Sequence, residues 1–168
     1  SGFALDAQGR AQDIGESAKL NELRLVLEEI GDQPIIIWAQ FHWEILAICH
    51  ALTQWYPDAP IATLYGGTPD RTAAGAAFQG GAARFLVAHP RSGGHGLNLQ
   101  CAAVQIFFAI DFSFEMLTQC RGRIHRAGQT RACTNIFLLS RATIDEHIYA
   151  VLRTKGTAQQ LLDRVLQC

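Results

Sequence analysis

From Ser17 onward the chain alternates between two kinds of apolar pattern. Leu20, Leu23, Leu27 and Ile30 recur at helical spacing, and Gly31 stands where such a helix would stop. After Pro34, Ile35-Ile36-Ile37-Trp38-Ala39 is a continuous apolar run of the kind carried by a strand buried on both faces. A second helical stripe holds Ile45, Cys49, Leu52 and Tyr56 and is broken by Pro57 and Pro60. Ile61 to Tyr65 reads as a short strand ending at Gly66-Gly67, after which Thr68-Pro69 supplies a cap and a first-turn proline for a helix to about Gln79. Arg84 to Ala88 and Ala103 to Ile110 read as strands on either side of a glycine-rich loop. Ser113 can cap a helix containing Met116, Leu117, Cys120 and Ile124, and Asn135 to Leu139 is a last strand. Thr143 and Glu146 form a capping box for a helix with Ile148, Val151 and Leu152; Gly156 is expected to interrupt it before another helix through Leu161, Leu162 and Val165.

Apolar strands alternating with amphipathic helices predict an α/β domain, a mostly parallel sheet with helices on both faces. Residues 1–16 lack periodicity and read as a flexible N-terminal arm; residues 17–168 read as the domain with a C-terminal helical extension. Ligands of such sheets bind at the carboxyl ends of strands, so function is expected after residues 39, 65, 88, 110 and 139.

Composition narrows this further. With 49% hydrophobic and 17% charged residues in 168, the chain is neither disordered nor an acidic or basic tail. No apolar run approaches the roughly 20 residues of a membrane span, and no signal segment is visible at the start. The five cysteines include no C-x-x-C pair, which points to reduced thiols in a cytoplasmic protein rather than to disulfides or zinc. The formal charge of −1 leaves nucleic acid open as a partner, because phosphate is bound by local clusters of charge. Such a cluster exists: Gln119 to Arg131 contains four arginines, one histidine and no acid.

Within it, Gln119-Cys120-Arg121-Gly122-Arg123-Ile124-His125-Arg126 is the most informative segment. At 100° per residue Gln119, Arg123 and Arg126 would share a helix face while Leu117, Cys120 and Ile124 fill another. Two guanidinium forks could then converge on one anion. A solvated basic face is the plainer reading, but Gly122 inside the helix costs about 1 kcal/mol against alanine and suggests that something approaches closely. The second segment, His89-Pro90-Arg91-Ser92-Gly93-Gly94-His95-Gly96-Leu97-Asn98, follows a strand, and its glycines free backbone N–H groups to face phosphate or ribose. It does not satisfy the G-x-G-x-x-G fingerprint, and His89 with His95 lacks a third ligand at metal-binding spacing, so no metal is expected. Asp145-Glu146-His147 resembles a D-E-x-x magnesium box only superficially, since it opens a helix and no G-x-x-x-x-G-K-[ST] occurs in the chain.

Taken in order from about Lys19 to Lys155, these segments resemble the second RecA-like lobe of Swi/Snf-type helicase-like ATPases of superfamily two. QCRGRIHRAGQT matches the family's motif six, Q-x-x-x-R-x-H-R-x-G-Q, and RSGGHGLNLQ is similar to its motif five. IIIWAQF, LYGGTPDR and TIDEHI are weaker supports. The resemblance implies a three-layer RecA-like fold. It also implies that Arg123 and Arg126 act as arginine fingers toward the γ-phosphate of ATP held by an N-terminal RecA-like lobe of the same polypeptide, with Gln119 orienting them. Gly94, Gly96 and Asn98 would face the nucleotide. Gln40, Phe41, Gly67, Thr68, Arg91 and Ser92 would lie near the backbone of double-stranded DNA. ATP and Mg2+ would be held mainly by the other lobe, and the present chain alone would be inactive. His89-Pro90 stands where the family often has Ser-Thr, which removes a hydroxyl from the DNA side; this wording is similar to the phage and prophage branch. Two alternatives remain open: a RecA-like module that binds nucleic acid or a partner without turnover, and a Rossmann-like enzyme holding a cofactor in the glycine loop.

Overall fold

In the computed structural model the backbone is described for residues 3–5, 11–13, 18–92, 99–111 and 113–166, and side chains for 18–92, 99–111 and 113–156. Ile35–Trp38 forms β3, and every one of its residues is fully buried. On either side lie β5 (Phe85–Ala88) and β6 (Val104–Phe107), both parallel to it, with Ile35 in register with Phe85 and Val104 and Trp38 with Ala88 and Phe107. Adding β4 (Ile61–Leu64) and β7 (Thr134–Phe137) gives a five-stranded parallel sheet of order β4-β5-β3-β6-β7.

Alternation along the strands divides the core in two. Ile35, Ile37, Phe85, Val87 and Ile106 face α1 (Ala18–Ile30) and α2 (His42–Trp55) through Leu23, Leu27, Ile45, Ile48 and Leu52. Ile36, Trp38, Leu86 and Phe107 face α3 (Arg71–Gln79), α4 (Phe114–Ile124) and α5 (Ile144–Leu166) through Phe78, Leu117, Cys120, Ile124, Ile148 and Leu152. Each such buried aliphatic or aromatic side chain contributes about 1.5–3 kcal/mol, which explains why β3 and β5 carry unbroken apolar runs. One polar chain crosses the interior: the Trp38 indole N–H donates to Gln105 Oε1 at 2.7 Å, and the Gln105 amide donates in turn to Asn135 Oδ1. It links β3, β6 and β7, and a changed strand order would leave these groups unpaired.

Three local expectations change. Within residues 1–16, read as an arm, β1 (Phe3–Leu5) and β2 (Ala11–Asp13) pair antiparallel. The cap of α3 is Asp70, whose carboxylate accepts the Ala73 N–H at 2.8 Å, and not Thr68. Gly156 does not interrupt the last helix. It sits inside α5, where an added Cβ would lie 3.2 Å from the Phe114 ring of α4, so here glycine serves close helix packing. The start of α1 is tied to the start of α5 by a buried ion pair, Lys19 Nζ to Asp145 Oδ2 at 2.7 Å. Burial alone would raise the Asp145 pKa, but the Lys19 hydrogen bond, the Ser140 N–H and the Lys19 charge together hold it below the ordinary carboxylate value. Among the described residues no helix is long and apolar enough to cross a membrane.

Candidate functional site

Helix α4 begins where Ser113 Oγ accepts the Met116 N–H at 3.2 Å, and it is anchored to the sheet by Leu117, Cys120 and Ile124. Burial pushes the Cys120 thiol up to about 12, so it stays protonated as part of the core. Arg123, the last residue but one of α4, is 7% exposed. Its backbone carbonyl accepts the Leu99 N–H. The helix stops at Ile124 and His125 caps it, so the helical-face argument reaches Gln119 and Arg123 but not Arg126. Arg126 lies in the turn beyond, exposed, its Nε–H donating back to the Gly122 carbonyl at 3.2 Å. The two guanidinium groups are nonetheless within electrostatic reach. Burial, and then the charge of Arg126, lowers the Arg123 pKa from its ordinary value. Like charges held this way disfavour one another, and an anion shared between them reverses the sign. Gln119 is exposed and donates its amide to Glu115 at 3.1 Å. At Gly122 an added Cβ would meet nothing within 4 Å, so no part of the described chain requires glycine there.

The turn after α4 is held by a residue the sequence reading assigned no role. The Gln129 side-chain amide donates to the carbonyls of Gln100, Ala102 and Ile124, and its oxygen accepts the Arg131 N–H. Arg131 donates to the Cys101 carbonyl. Gly128 adopts φ +98°, with the Gln100 side chain 3.4 Å from where a Cβ would lie, so both conformation and space favour glycine. The only signal for this clamp was the final Gly-Gln of the quoted motif. Gly94, Gly96 and Asn98 lie outside the described residues.

A second site occupies the carboxyl ends of β3, β4 and β5. Gly67, Arg91 and Ser92 line one groove of about 450 Å3 together with His42, Tyr65 and His89, three residues not singled out for this role. At Gly67 a Cβ would sit 2.5 Å from the Tyr65 ring, so a larger residue there would displace that ring from the groove. Thr68 stands beneath, its hydroxyl accepting the Tyr65 N–H and donating to the Thr63 carbonyl, both at 3.0 Å; it shapes the turn. The His89 imidazole accepts the Arg91 N–H at Nδ1, 3.2 Å away, while its backbone bonds Leu64 and Ser92. Burial and then Arg91 lower its pKa, which favours the neutral ring.

Gln40 and Phe41, between β3 and α2, present their N–H groups to Glu44 Oε2, each at 3.0 Å. Glu44 is 2% exposed, and burial raises its pKa against the opposing effect of those two N–H groups and of Lys19. Glu44, Asp111 and the Lys19–Asp145 pair line a neighbouring cleft of about 540 Å3, rimmed by exposed Phe41 and Ile144. Among the described residues no group of three or more His, Cys, Asp or Glu is placed to hold a metal ion.

The same architecture is found in known proteins. The crystal structure of the C-terminal part of the Fun30 ATPase domain superposes with a TM-score of 0.74, covering 85% of this chain and 47% of that one at 23% identity. The fold is therefore the three-layer RecA-like one expected. In sequence, the chromatin-remodeling ATPase INO80 of Neurospora crassa is 33% identical over 153 residues, 89% of this chain and 8% of that protein. Protein CHROMATIN REMODELING 19 of Arabidopsis thaliana is 40% identical over 65 residues, 39% of this chain and 8% of that protein. The chain thus spans about a tenth or less of the length of these relatives. They are a fungal and a plant protein, and the likeness to a phage and prophage branch gains no support from them. The model of the helicase conserved C-terminal domain matches residues 18–128, from the first turn of α1 to the glycine of the arginine turn, and the chain belongs to that family.

Proposed function

We propose that this chain is the C-terminal lobe of a DNA-dependent, Swi/Snf-type ATPase that translocates on double-stranded DNA in a reducing, cytoplasmic setting. The observation that carries this is the pairing of Arg123, buried and depressed in pKa, with exposed Arg126 at the end of α4. Arg126 extends toward the γ-phosphate of ATP bound, with Mg2+, by an N-terminal RecA-like lobe, and Arg123 holds the electrostatic field behind it. Gln119 orients the pair once the lobes close, exchanging its bond to Glu115. Positioned arginines of this kind are worth about 10³–10⁵ in rate, but only on a nucleotide that other groups cradle. The chain contains no G-x-x-x-x-G-K-[ST], so it is inactive alone. Closure and opening of the lobes around ATP then moves DNA along the groove containing Gly67, Arg91 and Ser92. The names of the relatives, chromatin-remodeling ATPases, support this reading.

In a protein containing both lobes, Arg126→Ala should abolish ATP turnover and leave nucleotide binding by the other lobe largely intact. Equal loss of both contradicts the assigned role. The 168-residue chain should show weak or no ATP binding by calorimetry, and tight binding would mean that it carries its own nucleotide site.

A further inference from the structure

Phe41 stands where neither helix stability nor core packing asks for it. It is the N-cap of α2, a position at which Ser, Thr, Asp or Asn would accept an orphan N–H, and the neighbouring N–H groups are satisfied by Glu44 instead. Its side chain is among the exposed large hydrophobics, with 56% of the residue's surface accessible. The ring is stacked on that of Trp43, 5° between planes and 5.6 Å between centroids, so Trp43 backs the phenyl ring and the pair forms an aromatic ledge. The residue between them, His42, packs at a tilt against Tyr65, 4.7 Å between centroids, within the groove that holds Arg91 and His89, whose lining contains no acid among the described residues.

We propose that this ledge binds an unpaired nucleobase, as presented by gapped or branched DNA, with the flanking phosphates held by Arg91 and His42 in the adjoining groove. The inference rests on the reading of that groove as a nucleic-acid site and adds the kind of DNA it prefers. An intact duplex keeps its base faces inside the stack and offers phosphates and groove edges, to which a phenyl ring makes no hydrogen bond. An unstacked base offers a flat π-face of matching size, and stacking on an aromatic side chain tolerates any base. An apolar protein partner would also cover Phe41; on the groove side it would meet the guanidinium and imidazole of Arg91 and His42, groups suited to phosphate, while the cleft on the other side carries Glu44, Asp111 and Asp145, the last paired with Lys19.

Fluorescence anisotropy of the 168-residue chain with three DNA probes tests this: an intact duplex, the same duplex with a short single-stranded gap, and the gapped duplex with abasic residues across the gap. The abasic probe keeps every phosphate and removes the bases. The gapped probe should bind about tenfold tighter than its abasic twin, the size of one base stack. Phe41→Ala and Phe41→Leu should bring that ratio to about one, and Phe41→Trp should preserve it. Equal affinity for the gapped and abasic probes, or a preference that survives Phe41→Leu, overturns the base site while leaving the phosphate groove in place. Failure to bind any of the three overturns the nucleic-acid reading itself.

Discussion

At the end of α4 one guanidinium is buried and the turn around it is fastened through main-chain carbonyls by Gln129 and Arg131. In the groove at the ends of β3, β4 and β5 the guanidinium of Arg91 is exposed, and its surroundings are fixed by the side chains of Thr68, His89 and Glu44. The contrast fits what the two proposed ligands would ask. On the proposed reading the exposed Arg126 reaches the transferring phosphoryl group and the buried Arg123 stands fixed behind it, because a charge that reorganises during reaction forfeits most of its effect. A contact to a repeating phosphate backbone positions without specifying, and an exposed arginine serves it.

Gln129→Ala attacks the first region. Losing a donor shared among three carbonyls and the acceptor for Arg131 should destabilise the chain by about 2–3 kcal/mol in urea unfolding. In a two-lobe protein it should also lower ATP turnover far more than DNA affinity; a parallel fall in both would erase the distinction. Glu44→Ala attacks the second. It leaves the N–H groups of Gln40 and Phe41 without their acceptor but also removes a desolvated carboxylate, so the net loss should be smaller, about 1–2 kcal/mol by the same measurement. Gly122→Ala sharpens the comparison from the opposite side. With open space at the Cβ position it should stabilise the chain by up to about 1 kcal/mol while slowing ATP turnover in the two-lobe protein. Stabilisation without slowing would mean that nothing approaches that turn of α4.

The smallest effect is a pH dependence in the groove. His89 has a folded pKa below its ordinary value, so the unfolded chain binds more protons and stability is lost as pH falls through the range near and below about 6.5. Arg91 reinforces this and Asp111 opposes it. The melting temperature should fall on acidification through that range, and less so in His89→Asn. Asp145, also depressed, is paired with Lys19 and loses its contribution only lower, as pH falls through the carboxylate range.

Much of the sheet was legible because burial on both faces writes itself as unbroken apolar runs: Ile35 to Trp38 and Phe85 to Ala88 are strands where the pattern placed them. Ser113 was legible as a cap because its signal is local. A hydroxyl before proline and a glycine in a helix also have local meanings, but here Thr68 closes the turn back onto Thr63, leaving Asp70 to cap α3, and Gly156 packs against the distant Phe114. At the candidate site, the motif pointed to Arg123 and Arg126, but which of the two is buried depends on where α4 ends. His42, Tyr65 and His89 share a groove only because parallel register aligns the ends of three strands, and no spacing along the chain encodes that.

The seating of Gly156 against Phe114 couples two helices with no slack between them. Phe114 opens the rod whose far end bears the buried guanidinium. A displacement of α5 at Gly156 would therefore press on the Phe114 ring, at the opposite end of α4 from Arg123.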